Sequence, residues 1–303
     1  MKIVVSGSTG LIGSALVPRL VGQGHSVVPL VRRRLTPGER ALAWDPEAGE
    51  IDRAGLEGSD VAIHLAGENV FGRWSPAKKR RIRDSRVNGT RLISDTLAGL
   101  TRRPSALLAA SAIGYYGDRG EEAVAEGSMP GGDFLAHVAR DWEAATASSN
   151  KAGIRVPNLR FGVVLSPKSG ALAKMLPAFR VGLGGPVGSG NQYLSWIALD
   201  DVINAILHVL ARADLAGPVN ITAPSPVTNR EFAKTLGKVL GRPAVVTVPA
   251  FALRMAFGTD GAAMLQSGQR VLPSRLLESG FRFRYDTLEA ALRHLLAAPE
   301  GGR

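Results

Sequence analysis

Lys2-Ile3-Val4-Val5-Ser6-Gly7-Ser8-Thr9-Gly10-Leu11-Ile12-Gly13 opens the chain as a short apolar run, a glycine-punctuated turn and the start of a helix. Glycines at such a junction let the backbone turn tightly and approach a pyrophosphate, and they let the helix pack closely on the sheet. The helix N-terminus adds unpaired N–H groups and a partial positive charge. A glycine triplet by itself marks only a tight turn. Placed between a first strand and a first helix, it predicts a dinucleotide-binding loop made of Gly7, Thr9, Gly10, Leu11, Ile12 and Gly13.

The helix reads over 11–23 and stops at Gly24; Ser26 to Val31 then reads as a second strand, with Pro29 a complication inside it. The end of that strand discriminates between dinucleotides. A site for NAD usually carries Asp or Glu there to accept hydrogen bonds from the ribose 2′-hydroxyl. This chain has no acidic residue from Ser8 to Gly38, and the strand runs out into Val31-Arg32-Arg33-Arg34. A guanidinium grips a 2′-phosphate through paired, charge-assisted hydrogen bonds. NADP(H) is therefore the expected cofactor, with Arg32 as the first contact.

Strand-like and helical patterns keep alternating. Ala41 to Trp44 reads as a short strand, Val61 to Leu65 as a buried one, 76–98 as a long helix, 105–110 as a strand, 133–150 as a helix and Val156 to Phe161 as a strand. Such β-α-β alternation is what a parallel sheet with helices on both faces requires. After about residue 165 the pattern changes. Gly182 to Gly190, with five glycines in nine residues, reads as a loop. A helix at 199–212, a strand at Val219 to Ile221, helices at 229–240, 250–257 and 286–296, and a strand-like Val245 to Val248 follow. The expected fold is α/β: a Rossmann-type doubly wound parallel sheet with a smaller, mostly helical C-terminal substrate lobe. The sheet domain spans 1–165, with 196–222 returning to it; 166–195 and 223–298 form the lobe, and 299–303 a tail.

With 303 residues, 45% of them hydrophobic and 21% charged, the chain can bury a sizeable core. It has no cysteine, which excludes disulfides, thiolate catalysis and cysteine–metal sites. The five histidines (His25, His64, His137, His208, His294) show no metal-ligand spacing, so no metal is expected. Met1 leads straight into a strand without the features of a signal peptide, and no apolar run approaches the roughly 18–20 residues of a membrane span. The expectation is a cytoplasmic protein without a membrane partner. The net charge of +11 concentrates in Arg32 to Arg34, Lys78 to Arg86 and Arg102-Arg103. Attraction of polyanions and plain solvated helix faces both account for it. No helix-turn-helix, zinc-finger or aromatic RNA-binding signature accompanies the charge, so a small-molecule substrate is expected rather than nucleic acid. A homodimer stays open.

The chain resembles the extended short-chain dehydrogenase/reductase superfamily of nucleotide-sugar epimerases and dehydratases, and within it the epimerase-family proteins with an additional C-terminal domain of unknown function. The matching segments are Ser6 to Gly13, His64-Leu65-Ala66-Gly67-Glu68-Asn69, Ser85-Arg86-Val87, Ser111 to Gly117, Asp141-Trp142-Glu143-Ala144, Leu159 to Leu165, Gly184 to Gly190 and Val271-Leu272-Pro273. The resemblance implies that Leu65-Ala66-Gly67 ends a strand and lines the adenosine side, and that Val31-Arg32 holds the 2′-phosphate. It further implies cofactor contacts from Arg86 and Arg81 and a nicotinamide border at Gly162-Val163. Leu65 and Val163 also suit an ordinary core.

One family feature is missing. The usual catalytic pair is a Tyr followed four residues later by Lys on one helix, where the ammonium lowers the phenol pKa. Aligned on Trp142-Glu143, those positions hold Leu135 and Ala139, and none of the four tyrosines starts a Tyr-x-x-x-Lys. Ser111 past the fifth strand and Tyr115 or Tyr116 in the loop after it are candidate proton donors; the tyrosines serve equally as an aromatic wall. Glu68 is a candidate general base if its pocket raises its pKa, and otherwise a loop carboxylate paired with a nearby arginine. His137 reads better as a solvated helix histidine than as a site residue. The glycine-rich 182–190 loop and Trp196 are expected to frame the substrate cleft, and the basic surplus suits a phosphorylated substrate. The expected activity is an NADP-dependent oxidoreductase or epimerase on a small polar or nucleotide-linked substrate; the alternative is a non-catalytic NADP(H)-binding sensor.

Overall fold

The computed structural model of the chain describes residues 1–297, so the expected tail at 299–303 lies outside the described residues. The first half runs β1 (Lys2–Ser6), α1 (Leu11–Gly22), β2 (Ser26–Val31), β3 (Leu42–Asp45), β4 (Glu50–Ile51), α2 (Arg53–Leu56), β5 (Val61–His64), α3 (Pro76–Ala98) and β6 (Ala106–Ala112). A 3-10 turn (Ile113–Tyr116), β7 (Ala123–Val124), α4 (Phe134–Ala144), α5 (Ala147–Lys151), β8 (Pro157–Phe161) and β9 (Val163–Leu165) follow. The second half comprises α6 (Gly170–Arg180), β10 (Tyr193–Leu194), β11 (Trp196–Ala198), α7 (Leu199–Ala211), β12 (Gly217–Ile221), β13 (Val227–Thr228) and α8 (Asn229–Leu240). It ends with α9 (Ala250–Gln266), β14 (Arg270–Val271), α10 (Ser274–Glu278) and α11 (Leu288–Leu296).

Side chains alternate across a strand, and β1 shows what that does here. Ile3 and Val5 join Leu16 and Leu20 of α1 and Val202 and Ile206 of α7 on one face. Val4 points the other way, among Leu97, Leu107 and Trp44. Both faces of the sheet are thus sealed by helices, the arrangement that a parallel sheet needs. The strand order is β12-β8-β6-β5-β1-β2-β3-β4. Every pairing is parallel except β3 with the two-residue β4. From β1 the chain winds outward through β2 and β3, then crosses back to β5, β6, β8 and β12. The carboxyl ends of β1 and β5 therefore flank the switch point, where such sheets bind ligands.

A further hydrophobic cluster collects Leu172, Leu176 and Phe179 of α6, Phe232 and Leu236 of α8, and Leu288 and Leu292 of α11 around Trp196. This is the helical C-terminal part. Trp196 is fully buried there, its indole N–H donating to the Ser225 carbonyl at 2.9 Å. It cannot line an open cleft, which corrects the expectation from sequence. Asp201, at the start of α7, is fully buried and accepts the backbone N–H groups of Arg284 and Tyr285 at 2.8 and 3.0 Å. That contact clamps the segment leading into α11 against α7.

Four local expectations need revision. The helix expected at 133–150 is two, α4 and α5, because the Ser149 N–H leaves the helical ladder and donates to Ser94 Oγ at 3.0 Å. The helix expected at 250–257 extends to Gln266 across a kink at Gly258, whose φ of 73° only glycine adopts readily. No element was expected over 170–180, where α6 tolerates Pro177 and buries Leu172, Leu176 and Phe179. Val245 to Val248 forms no regular strand. Its N–H groups at Val246 and Val248 donate to Gly184 and Pro186 carbonyls at 3.2 and 2.9 Å, tying down the glycine-rich loop. Gly185 permits that approach: a Cβ there would stand 2.3 Å from the Val246 carbonyl oxygen. Pro29, by contrast, is accommodated in β2 because β3 pairs only with Leu30 and Val31 beyond it.

At the outer edge of the sheet, Arg275 of α10 lays its guanidinium along β12. It donates to the carbonyl of Ala216 and, at 2.7 Å, to that of Pro218.

Candidate functional site

The turn after β1 is held by two backbone approaches. Gly7 has φ 67°, and a Cβ on it would stand 2.8 Å from the Leu65–Ala66 peptide. A Cβ on Gly13 would meet the Gly7 carbonyl oxygen at 2.2 Å. The loop folds on itself through Gly10 N–H to Gly7 carbonyl, 3.0 Å. No side chain caps α1. Its first ladder bond comes from Ser14, so the N–H groups of Leu11, Ile12 and Gly13 have no acceptor among the described residues. Three free donors beside exposed Thr9 and Gly10 make an anion-binding helix end. Ser6 fastens this loop to the one after β5. Its hydroxyl shares a hydrogen bond with His64 Nδ1 at 2.5 Å and accepts from the Leu65 N–H at 3.2 Å. Burial holds the His64 pKa at about 4, so the ring is neutral near pH 7.

Val31 ends β2 half-buried, and Arg32 follows it into solvent. A cavity of about 440 Å³ opens there, with Arg32, Arg80, Arg81, Glu68, Asp84 and Ser85 on its walls. Arg33 is taken by Glu39, whose oxygen it reaches at 3.0 Å. Among the described residues Arg32 has no carboxylate within ion-pair distance. Across the cavity Glu68 lies 2.6 Å from Lys78 and 3.8 Å from Arg81. The Lys78 hydrogen bond lowers the Glu68 pKa, with the charges of Lys78, Arg81 and Arg32 adding to it. The condition for Glu68 as a general base, a raised pKa, is not met. It is an arginine- and lysine-paired loop carboxylate. Arg86 is half-buried behind it, donating to the Glu68 and Ile82 carbonyls at 3.0 Å each and packing 5.0 Å from the Trp142 ring. Burial brings its pKa down to about 10. Gly67 is exposed beside it, while Leu65 and Ala66 are half-buried.

At the carboxyl ends of β6 and β8 lies a buried polar network. Arg160 of β8 grips Glu143 of α4 with Nε and Nη2 at 2.7 and 2.8 Å, and Ser111 donates its hydroxyl to the same carboxylate at 2.6 Å. Arg160 Nη1 donates to the Tyr116 hydroxyl at 2.9 Å, and that hydroxyl donates to Asn220 Oδ1 at 2.7 Å. Burial works against the Arg160 charge, but the Glu143 carboxylate outweighs it and raises the guanidinium pKa. Tyr116 is fully buried, and burial pushes its phenol up to about 12. This removes Tyr116 from the proton donors, because its only proton is spent inside the core. Ser111 is 2% exposed with its proton on Glu143, so toward any ligand it offers only lone pairs. Tyr115 remains half-buried, its ring 3.5 Å from the Arg160 guanidinium. His137 is exposed and bonds the Gly132 carbonyl at 3.0 Å, away from these groups.

Gly162, between β8 and β9, is required by packing: its Cβ would fall 2.5 Å from the Ser195 carbonyl oxygen. Val163 follows, half-buried, and pairs with Trp196 in register. Leu135, in place of the reactive tyrosine, borders a second cavity of about 430 Å³, while Ala139 is 3% exposed. Glu143, Arg160 and Asn220 were not singled out from the sequence. A legible cue existed for one of them, since an arginine inside the apolar strand Asn158-Leu159-Arg160-Phe161 needs a buried carboxylate.

The profile of the NAD dependent epimerase/dehydratase family matches residues 3–222, and that of a domain of unknown function, DUF1731, matches 248–295. The chain belongs to the epimerase/dehydratase family. An epimerase family protein of Mycobacterium tuberculosis is 42% identical over 298 residues, covering 98% of both chains. The structure of human epimerase family protein SDR39U1 (isoform 2), solved with NADPH, superposes with a TM-score of 0.88 at 35% identity, covering 97% of this chain and 99% of that one. A nucleoside-diphosphate sugar epimerase from Corynebacterium glutamicum gives a TM-score of 0.79 at 37% identity, over 98% of this chain but 58% of that one. Among the described residues no helix is long and apolar enough to cross a membrane.

Proposed function

We propose that this family member binds NADP(H) across the switch point and acts on a small polar or nucleotide-linked substrate as an oxidoreductase or epimerase that lacks the Tyr/Lys relay. One observation carries the cofactor assignment. The N–H groups of Leu11, Ile12 and Gly13 are uncapped after β1, and Arg32, just past the end of the adjacent parallel strand β2, has no carboxylate within ion-pair distance among the described residues. In this reading the loop from Gly7 to Gly13, with Thr9 and Gly10, receives the pyrophosphate. Val31, Arg32 and Arg81 receive the 2′-phosphate; Leu65, Ala66, Gly67 and Arg86 line the adenosine side, and Gly162 and Val163 border the nicotinamide. NADPH in the human relative supports the same choice. The bound nucleotide supplies hydride chemistry. The chain's own groups orient the partners: Arg160 and Glu143 fix the Ser111 hydroxyl, and of the two loop tyrosines it is Tyr115 that is left to face a ligand. The lobe of 166–195 and 223–298 would close over the sheet domain of 1–165 and 196–222.

A second reading, an NADP(H) sensor without turnover, is favoured by one fact: Ser111 and Tyr116 both donate inward, and Leu135 and Ala139 carry no titratable group. Calorimetry with NADPH and NADH tests binding, and loss of nicotinamide absorbance over a panel of carbonyl and sugar-nucleotide compounds tests turnover. Turnover that Tyr115→Phe abolishes identifies the enzyme; tight NADPH binding without turnover identifies the sensor. Equal affinity for NADPH and NADH refutes the cofactor assignment.

A further inference from the structure

The cavity beside Leu135 differs in charge from the arginine-lined one. It lies between the loop after β6, the start of α4, Trp74 and the second half of α9, so both parts of the chain enclose its 430 Å³ or so. Three carboxylates stand on its walls: Asp118, Asp133 and Asp260. No arginine or lysine does. Asp118 Oδ1 accepts the N–H groups of Gly120 and Gly268 at 3.3 Å each, and Asp133 Oδ1 caps α4 through the Ala136 N–H at 2.9 Å. The other oxygen of each has no hydrogen-bond partner among the described residues. Nearby cations are committed elsewhere. Arg119 donates to the Tyr116 and Met129 carbonyls and pairs with Glu122, and Arg73 donates to the Met255 carbonyl.

The remaining wall is aromatic. Trp74 and Phe134 meet edge to face with centroids 5.5 Å apart. The protein already seats one ammonium at this corner: Lys79 Nζ lies 5.2 Å from the Phe134 centroid and 2.6 Å from Asp260. A cation between a ring face and a carboxylate is a favourable arrangement. A phosphate here would face two carboxylates that have no ion-pair partner among the described residues.

We infer that this cavity takes the substrate, and that the substrate moiety it holds is an aromatic or apolar group bearing an amine or hydroxyl donors, not a phosphate or carboxylate. The assignment deepens the functional proposal and rests on it: Leu135, which stands in place of the relay tyrosine, borders this cavity. It runs against the phosphorylated substrate that the overall charge of +11 suggests. Local charge governs recognition at contact distance, whereas net charge governs long-range attraction.

The test is calorimetric titration of the full chain, with and without saturating NADPH, using tryptamine, indole-3-acetate and UDP-glucose as probes. Tryptamine should bind about tenfold tighter than indole-3-acetate, and UDP-glucose more weakly than tryptamine. Asp118→Asn with Asp133→Asn removes the two unpaired charges while asparagine keeps the α4 cap, and should shrink the tryptamine preference to about twofold, with an unchanged thermal melt as the folding control. Indole-3-acetate or UDP-glucose binding as tightly as tryptamine overturns the inference, as does the failure of all three to bind. Tryptamine binding without any NADPH binding would instead sink the cofactor proposal and leave the charge assignment of the cavity standing.

Discussion

Replacing Glu143 by alanine should unfold this protein more readily than any substitution in the arginine-lined cavity. Arg160 is 3% exposed and Glu143 13% exposed at the side chain, so solvent does little to screen the pair. The substitution deletes two charge-assisted bonds of 2.7 and 2.8 Å and the 2.6 Å bond from Ser111. It leaves the guanidinium only the Tyr116 hydroxyl and the Glu126 carbonyl. Stranding one member of a buried ion pair costs about 3–5 kcal/mol, against a total stability on the order of 5–15 kcal/mol for a folded domain. At about 2–4 °C per kcal/mol for a large domain, the melting temperature should fall by roughly 6–20 °C. The assay is urea unfolding followed by circular dichroism, with Glu143→Leu, Arg160→Leu and the Glu143→Leu/Arg160→Leu double variant forming a closed cycle. The double variant strands no charge and should sit within about 2 kcal/mol of the parent. A loss below about 1 kcal/mol for Glu143→Ala would put the pair in the class of surface ion pairs and refute the reasoning.

Arg32→Ala should weaken NADPH binding by about 10- to 100-fold, as expected for one charge-assisted contact, and leave NADH binding nearly unchanged; calorimetry with both nucleotides reads the ratio. His64, whose buried ring has its pKa held at about 4 against an ordinary 6.5, binds its proton more tightly once unfolded. Its contribution is therefore fully present above pH 6.5 and is lost as the pH falls toward 4, by about 3 kcal/mol at 1.36 kcal/mol per unit. Urea midpoints from pH 7.5 to 4.5 should show this acid limb, and His64→Asn should flatten it. Gly13→Ala, which would put a Cβ 2.2 Å from the Gly7 carbonyl oxygen, should abolish NADPH binding while far-UV circular dichroism stays near native. Tyr116→Phe should lower stability by about 1–3 kcal/mol through the orphaned Asn220 oxygen, with NADPH affinity unchanged in the same calorimetric titration.

Much of the sheet was legible because its information is local. The run Lys2 to Gly13 carries a continuously buried strand, a turn and a helix start in adjacent residues, and β5 and β6 repeat the unbroken burial of its first part. The arginine at the end of β2 could be placed by strand position alone. What escaped depends on chain segments far apart in sequence. Tyr116 looked like a loop phenol, yet it is fully buried through Arg160 and Asn220, 44 and 104 residues away. Glu68 could be read as base or as ion-pair partner until Lys78 was seen beside it. Trp196 next to a glycine-rich loop suggested a cleft, but α8 and α11 close over it. The helix α6 was hidden by Pro177 and flanking glycines, because propensity argues against a helix that packing of Leu172, Leu176 and Phe179 stabilises.

Arg275 has a consequence for how copies of this chain can meet. An open sheet margin invites another chain to continue it, strand against strand. Here one long side chain satisfies the carbonyls of Ala216 and Pro218 that a newcomer would need as acceptors. At the opposite margin β4 offers only two residues, paired backward on β3. Any assembly of this protein is thereby directed to its helices and loops, and the ribbon of strands ends within each molecule.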